Sequence, residues 1–289
     1  VTTPLRTWIA AARLRTLPAA IVPVLVGLAV ASRSGAIDWP TAAATLAAAL
    51  LIQIGTNLAN DYYDFVSGAD TAERLGPTRI TQAGLAEPSA VRNAALAVLA
   101  LAGVIGTRLV IVGGLPILVV GVLSLVLSIA YTGGPWPLAH HGLGDLFVFL
   151  FFGVIAVNGT VWLQGVSPSL LSLAASLPVA SLVTAILVVN NLRDIGTDAR
   201  AGKRTLAVRL GAAAARVEYV ALVSLALLVP LLLARFAGAR VLIALGALPL
   251  AVAEVRALLH RSGRELNESL AGTARLHLVF GVLLAIGLA

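Results

Sequence analysis

What most constrains this chain is the recurrence of apolar stretches, at roughly 17–32, 41–60, 91–107, 115–131, 144–163, 169–190, 213–234, 240–257 and 271–289. Each is close to the ~20 residues a helix needs to cross a bilayer. Hydrophobic residues make up 59% of the 289 and charged residues 11%, where a soluble domain carries about 25% charged residues. Mean hydropathy is +0.98. The expected fold class is therefore all-α: a polytopic membrane bundle of about nine transmembrane helices, forming one domain over 1–289. The stretches 91–107 and 115–131 are separated only by Arg108 and the Gly113–Gly114 pair, which predicts a tight helical hairpin.

The 20 Lys and Arg residues predict the orientation, because cytoplasmic loops carry the excess. With the N-terminus inside, 16 face the cytoplasm and only Arg33, Arg108, Arg235 and Arg240 face outward. An odd number of spans then leaves the C-terminus outside. The N-terminus shows no apolar segment followed by a small-residue cleavage site, so the first span is expected to act as an anchor. An Ala- and Arg-rich composition with a single Lys points to a bacterial source, hence a bacterial plasma membrane. A net charge of +7 invites a nucleic-acid reading, but the basic residues are scattered through short loops and form no stripe, so no nucleic acid is expected.

Two segments echo one another. Span two ends in Asn57, Asn60, Asp61 and Asp64, followed by Gly76-Pro77-Thr78-Arg79; span six ends in Asn190, Asn191, Asp194 and Asp198, followed by Gly202-Lys203-Arg204. The clusters lie about 130 residues apart, which predicts a duplicated four-helix unit with the two motifs facing across a central cavity. On a helix, i, i+3, i+4 and i+7 share a face, so each motif forms a polar stripe at a helix end. Asp61, Asp64, Asp70, Asp194 and Asp198 are five of the 13 acids. Gathering like charges is costly unless a cation is present.

That cation is held without thiolates, because the chain has no cysteine, and without a histidine motif, because His140, His141, His260 and His277 have no metal-ligand spacing. Oxygen ligands favour Mg²⁺, Ca²⁺ or Mn²⁺. Mg²⁺ characteristically joins one or two carboxylates to substrate phosphates. Two facing clusters suit about two ions around one diphosphate, with Arg74, Arg79, Lys203 and Arg204 near the oxygens left free. A polyprenyl diphosphate, with an apolar tail and a charged head, suits a lipid-accessible cavity that ends in such a cluster.

The motifs resemble the UbiA-type intramembrane prenyltransferase superfamily, and within it the 1,4-dihydroxy-2-naphthoate branch of menaquinone synthesis. The resemblance rests on Arg15-Thr16-Leu17-Pro18, Asn60-Asp61-Tyr62-Tyr63-Asp64 with Gly68-Ala69-Asp70, and Gly76-Pro77-Thr78-Arg79. It continues in Tyr131-Thr132-Gly133-Gly134-Pro135, Gly142-Leu143-Gly144-Asp145, Asn190-Asn191-Leu192-Arg193-Asp194 with Asp198, and Gly202-Lys203-Arg204-Thr205. It implies that Asp61, Asp64, Asp194 and Asp198, with Asp70, ligate Mg²⁺, and that Asn57, Asn60 and Asn190 orient them or the diphosphate. Arg79 and Lys203 would bind the diphosphate. The implied reaction joins a polyprenyl chain from its diphosphate to the aromatic acid with loss of CO₂, giving demethylmenaquinone.

Other candidates are Arg15 for the acceptor carboxylate, Tyr131 with Tyr62 and Tyr63 for an allyl cation, and His140 or His141 as a base. Phe147, Phe149, Phe151 and Phe152 line a tail channel or face lipid. Asn158, costly in hydrocarbon, is expected to face the cavity or another helix. The competing readings are a prenyltransferase with another acceptor, such as 4-hydroxybenzoate, and an ion-coupled transporter. A transporter would hold its acids near the bilayer midplane, whereas these lie at helix ends.

Overall fold

The computed structural model describes residues 4–70 and 74–289, and every described element is helical. The order is α1 (Leu5–Ala12), α2 (Pro18–Ser32), α3 (Trp39–Val66), α4 (Pro88–Ala130), α5 (Gly144–Val148), α6 (Ala156–Leu163), α7 (Leu170–Arg200), α8 (Leu206–Ala237), α9 (Leu248–His260) and α10 (Leu266–Leu288). A π-helical turn, Phe149–Ile155, joins α5 to α6 into one span. A 3₁₀ segment, Ala239–Ala247, extends α9 in the same way.

Among the described residues seven helices are long and apolar enough to cross a membrane, or eight when the pair Leu5–Thr16 and Pro18–Ser32, bent by 50°, counts as a span. Helix α4 adds one more. Its 43 residues would measure about 65 Å if straight, twice the ~30 Å hydrocarbon thickness. The backbone turns at Gly114 (φ 67°, ψ −154°), a conformation open essentially to glycine. A Cβ on Gly103 would lie 3.6 Å from the Leu125 side chain, which is possible only if the halves fold back on each other. The expected hairpin is present, and the count returns to about nine.

Helix α7 is the axle of the bundle: its most apolar window is 72% buried, against 11% for α4, which faces lipid. Val179, Leu182, Val188 and Val189 of α7 form one core with residues of α2, α6, α8 and α10. Small residues allow close approach where apolar packing alone supplies little drive: a Cβ on Gly153 would come within 2.1 Å of Ala180, and one on Gly281 within 2.2 Å of Val22. Asn158 faces another helix, donating to the Val154 carbonyl and accepting from Ser172 Oγ of α7 at 2.7 Å.

The two ends of the bundle differ. Arg33, after α2, donates to the Leu288 carbonyl at 2.9 Å. Leu288, at the end of α10, therefore lies at the end of the bundle opposite the start of α2.

Candidate active site

The polar stripes of α3 and α7 both finish in the same backbone device. After α3, Gly68 takes φ 70°, with Ala69 N–H donating to the Asp64 carbonyl (2.9 Å) and Gly68 N–H to Phe65 (3.0 Å). After α7, Gly202 takes φ 74°, with Lys203 N–H donating to Asp198 (2.9 Å) and Gly202 N–H to Ala199 (3.2 Å). Both are Schellman turns, in which a left-handed glycine lets the chain satisfy the last helical carbonyls. Superposing the turns pairs Asp64 with Asp198, Asn60 with Asp194 and Asn57 with Asn191. The partner of Lys203 in this register is Ala69, so Arg79 reaches the cluster by a different route, from the loop.

The stripes meet at Asp64. Its Oδ2 accepts from Arg79 Nη2 at 2.7 Å and its Oδ1 from Lys203 Nζ at 2.7 Å, so that one buried carboxylate carries a cation from each half of the chain. Lys203 Nζ also lies 4.0 Å from Asp198 Oδ1. Asp70 pairs with Arg74 and, at 2.9 Å, with Arg79 Nε. Asp61 turns to the loop instead, accepting from the backbone N–H groups of Ile80 (3.1 Å) and Thr81 (3.1 Å) and so fixing Arg79 beside Asp64.

In the second half, Arg193 grips Asp194 through Nε (2.8 Å) and Nη2 (2.5 Å), and donates to Asn190 (2.8 Å) and Asn267 (3.0 Å). Asn267 in turn donates to the Leu75 carbonyl at 2.9 Å, tying α10 to the loop after α3. Gly76 has no room for a side chain because Arg193 Nη2 would stand 2.8 Å from its Cβ.

Asn57 donates to the Ala12 carbonyl (3.0 Å) and to Thr16 Oγ1 (2.9 Å), holding the bend between α1 and α2. Asn60 accepts from Thr132 (2.7 Å), next to Tyr131. Arg15 is exposed. The arginine that reaches the cluster from this segment is Arg13, the one non-glycine residue with positive φ (51°) among those described, whose charge acts on Asp61, Asp64, Arg74 and Arg79. Neither Arg13 nor Arg193 stands out in the sequence. Arg13 depends on a left-handed residue at a helix break, and Arg193, though part of the Asn190–Asp194 motif, carries no spacing that marks its role.

Five cations, Arg13, Arg74, Arg79, Arg193 and Lys203, thus stand among five carboxylates, Asp61, Asp64, Asp70, Asp194 and Asp198. Burial works against the charge of Arg79, but Asp64, Asp70 and Asp61 outweigh it and hold its pKa above the ordinary arginine value. Burial, then the nearby Arg79, push Arg74 below that value. Tyr131 is pushed upward, by burial first and then by Asp145, Asp64 and Asp198, so it remains a neutral phenol.

No three Asp, Glu or His groups among the described residues converge tightly enough to hold a metal by themselves. The donor set nevertheless fits Mg²⁺ bound together with a phosphate ligand, since that ion needs only one or two carboxylates from the protein. Buried donors await an anion as well: Arg79 Nη1 and Arg13 Nη2 have no hydrogen-bond partner.

Below the cluster lies an apolar chamber of about 150 Å³, with Tyr131, Leu138, Phe147, Phe151 and Phe152 in its wall. Phe149 is not part of that wall. The π-helical turn shifts the helical register at this point, and Phe147 and Phe151 stack at 5.9 Å.

Comparison with known proteins bears on this geometry. Residues 20–280 match the UbiA prenyltransferase family. The chain is 40% identical to the 1,4-dihydroxy-2-naphthoate octaprenyltransferase of Mycobacterium tuberculosis, over 98% of this chain and 96% of that one. It is 39% identical to the enzyme of the same name from Escherichia coli, over 72% and 70%. Its fold is similar to that of a UbiA homolog from Archaeoglobus fulgidus bound to DMAPP and Mg²⁺, with a TM-score of 0.64 at 15% identity, covering 97% and 99% of the two chains.

Proposed function

This chain belongs to the UbiA prenyltransferase family, and on that premise we propose that it transfers a polyprenyl group from its diphosphate to 1,4-dihydroxy-2-naphthoate. The acceptor loses its carboxylate as CO₂ and leaves prenylated, as the quinol form of demethylmenaquinone. The observation that carries the reading is Asp64, held between Arg79 of the first half and Lys203 of the second at 2.7 Å each, and close enough to act on Tyr131 in the wall of an apolar chamber. The names of the relatives support the acceptor.

Asp61, Asp64, Asp194 and Asp198, with Asp70, are the proposed Mg²⁺ ligands, for about two ions; the A. fulgidus homolog supports the metal. When bound, the metal neutralises the diphosphate and makes it a better leaving group. On diphosphate binding, Arg79 and Lys203 turn from Asp64 to the phosphate oxygens, and the free donors of Arg79 and Arg13 complete that shell. Preorganised donors of this kind stabilise the charge that develops as the allylic C–O bond breaks and its electron pair leaves with the diphosphate.

The ring carbon bearing the carboxylate forms the new C–C bond to the allylic carbon while the neighbouring hydroxyl becomes a carbonyl and gives up its proton. Loss of CO₂ returns the electron pair to the ring, which regains its proton on oxygen. Neutral Tyr131 and the phenylalanine wall exclude water that would otherwise capture the allyl cation. Asn57, Asn60 and Asn190 orient the cluster. Arg15, exposed at the start of the first span, is proposed for the acceptor's approach. The N-terminus and the site face the cytoplasm, and the C-terminus faces outward.

The test is prenyl transfer by detergent-purified protein from a labelled polyprenyl diphosphate to a panel of aromatic acids, with Mg²⁺ or with EDTA. Metal-dependent product with dihydroxynaphthoate alone supports the reading. Product with 4-hydroxybenzoate instead corrects the acceptor, and no transfer to any acceptor by folded protein rejects the enzyme reading.

A further inference from the structure

The chamber under Tyr131 does not end among the phenylalanines. Ala49, Ile52, Val120, Ser124, Ile155 and Ala156 border both it and a second apolar cavity of about 380 Å³ that runs on toward the opposite end of the bundle. Four glycines in the second cavity's wall lie inside helices; Gly103 packs against Leu125, and the other three are Gly106, Gly121 and Gly159. A glycine in a helix interior is destabilising relative to alanine, so its presence needs a reason.

The two usual reasons are absent. None of the three has a positive φ, and a Cβ on any of them would meet no atom within 4 Å. Close helix contact, the ordinary role of glycine in a membrane helix, is thereby excluded; Gly55 and Gly153, whose Cβ atoms would strike Leu99 and Ala180 of other helices at 2.6 and 2.1 Å, illustrate that role. What the three missing side chains leave behind is open cavity.

They leave it at different depths. At about 1.5 Å of rise per residue, Gly121 lies about 14 Å from the site end of its helix, Gly159 about 22 Å and Gly106 about 27 Å. We propose that Gly121, Gly159 and Gly106 set the length of isoprenoid chain this protein accepts, by keeping successive levels of one channel open below the diphosphate site. The inference rests on the prenyltransferase reading. The occupant is the apolar tail of the donor, since the cavity is continuous with the chamber below Asp64 and its wall is almost wholly apolar. The Cβ of a leucine at any of the three positions meets no neighbour, and the rest of the side chain would fill the channel at its own depth.

The experiment is competition among geranyl, farnesyl, geranylgeranyl and octaprenyl diphosphates for one acceptor, with products sized by mass spectrometry, in wild type, Gly121→Leu, Gly159→Leu and Gly106→Leu. Val126→Phe, on the exposed face of the same helix as Gly121 and outside both cavities, is the control. Gly121→Leu is expected to keep geranyl transfer within about twofold and to lose octaprenyl transfer by at least about tenfold, the discrimination expected when a few carbon atoms no longer fit an apolar pocket. The cut-off moves to longer chains in Gly159→Leu and to the longest in Gly106→Leu.

An unchanged octaprenyl-to-geranyl ratio in all three variants, or an equal change in Val126→Phe, overturns the proposal while leaving the enzyme reading intact. Failure of the folded wild type to transfer any donor overturns both. Where a leucine variant loses geranyl transfer as well, the alanine at the same position is read by the same ratio, and an alanine series with no graded loss of octaprenyl transfer counts against the proposal.

Discussion

Asp64 accepts a buried cation on each carboxylate oxygen, whereas Asp198, its counterpart across the pseudo-repeat, lies 4.0 Å from Lys203 Nζ. The two residues should therefore separate stability from turnover. Asp64→Asn leaves Arg79 with Asp70 and Lys203 with only the more distant Asp198, a loss of up to about 3–5 kcal/mol for a broken buried pair, and should lower the thermal unfolding temperature in detergent as well as abolish transfer. Asp198→Asn should abolish transfer with little change in unfolding temperature. His140, half-buried in the loop beside Lys203, has its pKa pushed below the ordinary imidazole value, by burial first and by Lys203 next. As pH falls through about 6.5, the unfolded chain takes up a proton there that the folded chain resists, so stability declines on acidification. His140→Gln should flatten the unfolding temperature between neutral pH and pH 5. At this scale the sequence reveals residues that act through spacing, such as the Asn/Asp stripe of α3. It conceals Arg13 and Arg193, whose roles depend on a left-handed backbone and on contact with Asn267 of a distant helix.

The elements depend on a few glycines that no other residue replaces well. Gly202 holds Lys203 in place through its left-handed turn, with open space around it. Gly202→Ala should therefore cost about 1–2 kcal/mol through the backbone alone and raise the KM for prenyl diphosphate as Lys203 is displaced, while Gly202→Asn, better suited to that conformation, should do less harm. Unfolding temperature and donor titration check both. Gly114→Ala should destabilise the α4 hairpin by about 1–3 kcal/mol with smaller effect on KM, because the turn lies far from the cluster. The hairpin was legible from Gly113–Gly114 and the length of the apolar run. The π-helical turn was not, since one extra residue in a helix leaves no mark on an all-apolar sequence, and with it went the distinction between Phe147, Phe151 and Phe152, which line the chamber, and Phe149, which does not.

For the molecule as a whole, the five cations and five carboxylates gathered at the site among the described residues balance one another without a metal. EDTA is therefore expected to stop transfer yet leave the unfolding temperature unchanged, whereas Mg²⁺ with a prenyl diphosphate should raise it by mass action. A large fall in stability on chelation would show that the carboxylates are not held by the arginines and Lys203 as described. The bundle and the opposition of the two motifs were legible because apolar length and a repeated motif are properties of the chain itself. The channel was not, because a cavity is made by what several helices leave out. The matching Schellman turns after Asp64 and Asp198 also bear on ancestry. A shorter chain carrying one such helix end would complete this pocket by associating with a second copy of itself, and this protein has the form of that dimer joined into one gene product. The two turns are not identical, Ala69 in one standing where Lys203 stands in the other, so the pocket they frame is not symmetric.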